Sequence, residues 1–171
     1  DTNSLYPTTM IMPLPIGNYQ KVELATDGAL EQVKDLLDKY TDNSSKGYLI
    51  EVDFIIPPEL HDKFDYAPVS RRSASPDELS GHQHSIGALL GASAPSEKLI
   101  PFLGKHTRVL YHAGLLKFWV DMECVITKVY NVWSYKQTTW MAKYIIGMAR
   151  KRALSTDPVE HECIKKAMNS L

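Results

Sequence analysis

Cysteine is scarce: Cys124 and Cys163 are the only two in 171 residues. That excludes a disulfide framework and suits a reducing, intracellular compartment. No apolar run approaches the roughly 18–20 residues of a membrane-spanning helix, and the first residues show no signal-peptide pattern. No membrane partner is expected. Charge of one sign is also missing, because 19 Lys and Arg against 20 Asp and Glu leave a net −1. A uniformly basic wrapper of nucleic acid is thereby excluded, although a local patch is not. There are no internal repeats. The first residue is Asp1 rather than Met, so the chain reads as a trimmed or processed fragment.

What is present is globular. An apolar share of 44% beside a charged share of 23% is the balance of a folded chain with one real core. Residues 4–12 can form a short helix, which Pro13 and Pro15 stop. Leu30, Val33, Leu37 and Tyr40 repeat at helical spacing behind Thr26 and Asp27, with Thr26 a candidate N-cap. Residues 41–47 form a polar loop. The strand signal is clearest over 48–56, with Tyr48, Ile50, Val52 and Phe54 on one side and Glu51 and Asp53 on the other. Pro57-Pro58 closes it.

From 67 to 97 the composition turns to Ser, Gly, Ala and Pro, which predicts a long, mobile loop with a short helix around 86–90. His82 and His84 fall inside it. With no Cys or acidic cluster nearby they read as solvent-exposed rather than metal-binding. Order returns as a short helix over 98–103, a strand over 107–112, a helix over 114–121 and a strand over 124–130. Short joints of this kind suit a compact α+β unit. A long helix over 135–152 follows, with Trp140, Met141, Tyr144, Ile145 and Met148 as its apolar face. The final helix, over 159–171, takes Asp157 as N-cap and Pro158 in its first turn. The last two helices form a hairpin.

Positive charge collects in that hairpin. From Lys128 onward there are eight cations against three carboxylates, an excess suited to triphosphate or nucleic-acid backbone. Arg150, Lys151 and Arg152 are candidate phosphate or DNA contacts; equally, they are cations placed favourably at a helix C-terminus. Lys165 and Asn169 lie four apart and share a helical face, where a lysine can meet a phosphate as a point charge. Such a pair also suits an ordinary solvated face. At the other end, Asp1-Thr2-Asn3-Ser4-Leu5-Tyr6-Pro7 sets a carboxylate before a small turn. A carboxylate is a hard ligand for Mg²⁺, and turn N–H groups at a helix start suit phosphates. The plain alternative is an Asx-turn entering a helix, with Tyr6 as a half-buried anchor.

Asp1-x-x-Ser4-Leu5-Tyr6-Pro7 resembles motif A of family B DNA polymerases. The continuation from Thr8 to Tyr19, with Pro13-Leu14-Pro15-x-Gly17, is similar to the protein-primed branch found in polinton-type transposons, viruses and linear plasmids. Lys165-x-x-x-Asn169-Ser170-Leu171 resembles the start of motif B, Lys-x-x-x-Asn-Ser-x-Tyr-Gly. Residues 47–53 and 130–137 also look like parts of that family. The resemblance implies an α+β fold that is a fragment of a polymerase palm. Residues 1–16 would be the motif A segment and 17–130 a β-α-β insertion that contacts the priming terminal protein. Residues 131–171 would be the fingers hairpin.

The implied activity is DNA-directed DNA polymerisation by two-metal nucleotidyl transfer, inside the cell and, for a eukaryotic source, at a nuclear or viral replication site. Its partners would be primer–template DNA, deoxynucleoside triphosphates and a terminal protein. Asp1, with the carbonyl of Thr2, would hold Mg²⁺. Ser4, Leu5 and Tyr6 would cradle the nucleotide, with Tyr6 under the deoxyribose. Lys165 would neutralise phosphate charge and Asn169 would shape the pocket. The second carboxylate motif, of Tyr-x-Asp-Thr-Asp type, does not occur in the sequence, so this chain alone is expected not to polymerise. An interaction module for the terminal protein and an inactive transposon remnant are the alternative readings.

Overall fold

The computed structural model describes residues 5–73, 75–91 and 97–170. It is α+β, built on an antiparallel sheet. The strands β1 (Leu14–Lys21), β2 (Lys46–Ile55), β5 (Lys105–His112) and β6 (Val125–Thr138) lie in the order β1-β6-β2-β5. β6 is the spine. It pairs with β2 through Ile50↔Val132 and with β1 through Gly17↔Lys136. Among the described residues, a second sheet pairs β3 (Val69–Arg72) with β4 (Lys98–Pro101).

The alternation read from β2 puts Ile50, Val52 and Phe54 in the core. Helices α2 (Ala29–Lys39) and α4 (Ala113–Asp121) complete that core with Val33, Leu37, Ala113, Leu116 and Trp119. Glu51 and Asp53 instead enter a polar network. Asp53 accepts from the Arg108 backbone N–H at 2.7 Å and the Tyr130 hydroxyl at 3.1 Å. Glu51 accepts from Asn131 at 2.6 Å and pairs with Arg108 at 3.1 Å. Arg108 has φ of 49° where the β2–β5 register shifts, so the Asp53 bond holds a bulge that the side chain alone would resist.

β3 and β4 are fastened to the main sheet by His106. Its ring lies between Phe54, at 4.6 Å, and Phe102, at 4.0 Å. Nδ1 is 2.9 Å from the Ser70 hydroxyl and Nε2 is 3.1 Å from the Phe102 carbonyl. Burial lowers the pKa of this imidazole. Tyr111 donates to the Val69 carbonyl at 2.8 Å as a second tie.

Several local expectations are corrected. The helix read over 98–103 is strand β4; Pro101 cannot continue a helix, and the pairing partner β3 lies far upstream. The stretch read as a loop over 67–97 holds β3, a 3₁₀ turn at Pro76–Glu78 and α3 (Gly81–Leu89). Ser80 starts α3 through a reciprocal cap, accepting from the Gln83 N–H at 3.2 Å while the Gln83 side chain accepts from the Ser80 N–H at 2.8 Å. Strand β1 was not expected. It sits at the sheet edge, where Pro15 loses no needed bond, and Gly17 and Asn18, at φ of 116° and 58°, form its irregularity.

The long helix α5 spans Ala142–Leu154 rather than 135–152. Tyr135 to Thr138 extend β6 because β2 pairs with Tyr135 and Lys136 while β1 pairs with Lys136, Gln137 and Thr138. Gly47 lies opposite the buried Tyr135, and a Cβ there would overlap the Tyr135 ring. α2 begins behind Gly28, at φ of 109°, rather than at Thr26. The last helix, α6 (Pro158–Asn169), starts as read: Asp157 accepts from the Val159 N–H at 2.9 Å. The chain divisions placed at 16/17 and 130/131 fall inside β1 and β6.

Candidate functional site

The first helix, α1 (Leu5–Met10), packs against both α5 and α6. The elements that carry the two ends of the chain therefore meet. Between them is a cavity of about 410 Å³. Pro7, Thr8 and Ile11 wall one side, and Ile145, Arg152 and Met168 are among the residues on the other. α6 turns Ile164 and Met168 inward, and its adjacent flank, with Lys165 and Asn169, is exposed.

The turn from α5 to α6 is held by a small polar knot. Glu160 accepts from the Ser155 hydroxyl at 2.7 Å and pairs with Lys151 at 3.1 Å. The Ser155 hydrogen bond, followed by Lys151, lowers the Glu160 pKa. The three adjacent cations thus have different surroundings. Arg150 is exposed, Lys151 is engaged with Glu160, and Arg152 is half-buried in the cavity wall. Among the described residues, Arg152 Nε is the buried side-chain nitrogen or oxygen without a hydrogen-bond partner. A buried N–H of this kind carries the desolvation cost of an unmade bond. In an otherwise largely apolar cavity, it suits a ligand or water that presents an acceptor.

The residues read as functional are distributed as follows. Asp1, Thr2 and Ser4 lie outside the described residues. Leu5 and Tyr6 are exposed on α1, Tyr6 at 66%, beside Pro7 in the cavity wall. Lys165 is exposed and, among the described residues, is held by a 3.7 Å pair with Glu162, a surface pair that a phosphate could displace at little cost. Asn169 lies one turn beyond. The structure brings α1 and α6 together, and neither Lys165 nor Asn169 lines the cavity. For Mg²⁺, the described residues contain no group of three or more His, Cys, Asp or Glu side chains placed to hold a metal. The residues read as its ligands, Asp1 and Thr2, are outside the described set.

His161 also lines the cavity and was not read as a site residue. Its signal was available: His161, Ile164 and Met168 recur at spacings of three and four, which puts the imidazole on the inward face of α6. The histidines of α3 are exposed, and His84 Nε2 lies 3.0 Å from the Pro76 carbonyl. No described helix is long and apolar enough to cross a membrane. Comparison with family models, with curated proteins and with solved structures finds no match for this chain.

Proposed function

We propose that this chain is a segment of a DNA-directed DNA polymerase of the protein-primed family B type, running from motif A to the start of motif B. The observation that supports it is the packing of α1 onto α5 and α6. The Leu5-Tyr6-Pro7 motif and the Lys165-x-x-x-Asn169 motif, at opposite ends of the sequence, are carried on touching helices. In this reading Tyr6 lies against the sugar of the incoming nucleotide. Lys165 meets its phosphates as a point charge, and Asn169 borders the pocket. Arg152 offers its unpaired N–H to an acceptor, and exposed Arg150 adds charge beside it. Asp1 and Thr2 would hold Mg²⁺, which when bound supplies charge neutralisation at the transferring phosphate.

The test is nucleotide protection. Deoxynucleoside triphosphate with Mg²⁺ is expected to shield Lys165 from amine acylation, and Lys165→Ala or Asn169→Ala to weaken nucleotide binding. Acylation of Lys165 at the same rate with and without nucleotide would reject the assignment. Primer extension by this chain alone is not expected.

A second reading, an interaction module, is favoured by α3. Every residue of 81–90 except Gly87 is exposed, with Leu89 at 82% and Leu90 at 76%. A protein partner such as a terminal protein would then be lost with Leu89→Asp and Leu90→Asp and kept with Lys165→Ala.

A further inference from the structure

We infer that the outer face of α5 is a binding surface for single-stranded nucleic acid, with Trp140 and Tyr144 as its stacking platforms. Both rings belong to the helix's apolar face by period, yet both stand in solvent, at 58% and 46% exposure. The buried residue of α5 is Ile145, on another side of the helix. Trp140, in the turn leading into α5, joins Lys143, Tyr144, Gly147 and Met148 around a shallow concavity of about 520 Å³. Spacings of three and four residues continue this stripe to Arg150 and Lys151.

Two features identify the occupant. The first is charge: α5 carries Lys143, Arg150, Lys151 and Arg152 and no carboxylate. Lys151 is paired with Glu160 from α6, but both are surface groups, and such a pair is readily exchanged for a phosphate. A polyanion with flat apolar groups matches exposed rings flanked by cations, and unpaired bases are such groups. The second is Gly147. It sits inside a helix, where glycine is unfavourable relative to alanine. Among the described residues, nothing lies within 4 Å of where its Cβ would be. Those neighbours therefore give no packing reason for glycine here, whereas the missing side chain leaves the concavity open beside Tyr144. Trp140 in the turn and Tyr144 in the first turn of α5 lie four residues apart, and unpaired bases, unlike the stacked pairs of a duplex, have faces free to lie on such exposed rings.

The inference rests on the polymerase reading only for the source of the strand, which would be unpaired template. Its test is separate from nucleotide protection at Lys165. A fluorescein-labelled 15-mer of oligodeoxythymidylate is titrated with the chain at low salt, followed by anisotropy. Binding is expected to weaken as salt rises, and to be at least tenfold weaker in Trp140→Ala and Tyr144→Ala. Lys143→Ala should reduce the salt slope by about one. Gly147→Ala should raise the melting temperature and still weaken binding, a combination that a purely structural glycine would not produce. Equal affinity in Trp140→Ala and the parent would overturn the assignment, as would preference for a duplex of the same length. So would displacement of the oligonucleotide by anionic lipid vesicles through the same side chains. Loss of oligonucleotide binding in Trp140→Ala without nucleotide protection at Lys165 would keep this surface and remove the polymerase reading.

Discussion

The sheet and the helical hairpin treat buried polar groups in opposite ways. In the sheet, His106 has partners at both ring nitrogens, Asp53 accepts twice through its carboxylate, and Gln137 donates to the Ser44 carbonyl at 2.7 Å. In the hairpin, Arg152 Nε is buried with none, and α5 buries little besides Ile145. Satisfied polar groups fix a unique arrangement, so the sheet half holds the fold. In the hairpin a buried N–H beside the cavity is left without that constraint.

The contrast can be broken from either side. The largest loss is expected from His106→Ala, which opens a gap between Phe54 and Phe102 and strands the Ser70 hydroxyl. Urea unfolding should show a loss of about 3–4 kcal/mol. Gly47→Ala, driving a methyl into the Tyr135 ring, should cost about 2–3 kcal/mol by the same measurement. Acid should then separate the halves. Burial holds His106 and His112 below their ordinary pKa of 6.5. The unfolded chain takes up these protons first, so stability should fall as pH drops below about 6.5. Glu160, lowered from 4.5, loses its contribution only as pH falls below that value, so the hairpin link should outlast the sheet in a pH series read by hydrogen exchange. The smallest effect is expected from Arg152→Met. Removing a side chain whose buried Nε has no partner among the described residues should leave thermal stability unchanged or slightly raised, while a drop comparable with His106→Ala would erase the distinction.

Elements with a strong local signal were legible in the sequence. α2 showed its period, β2 its alternation, and α6 its Asp157-Pro158 start. α3 was legible too, through the Ser80-x-x-Gln83 cap, but the small residues around it masked the signal. β1, β4 and the second half of β6 were not, because each is a strand by virtue of a partner distant in sequence. Tyr135 has the same neighbours in sequence whether it continues a helix or a strand; its pairing with Gly47 in β2 decides it. At the candidate site, Lys165 and Asn169 could be placed on one exposed face from spacing alone. The burial of Arg152 could not, since it depends on α1 packing from the far end of the chain, and the exposure of Trp140 and Tyr144 was masked by their apolar period.

The central position of β6 has a consequence for the chain during its synthesis. β1 ends at Lys21 and β2 at Ile55, yet the strand that lies between them spans Val125–Thr138. On the ribosome both earlier strands emerge with unpaired edges facing a place that is filled only after most of the domain has been translated. Closing such distant pairings is slow, and open edges invite association with other chains. The nascent protein therefore passes through an interval in which its sheet lacks its middle, and protection of those two edges, rather than packing of the helices, should govern how much of it reaches the folded state.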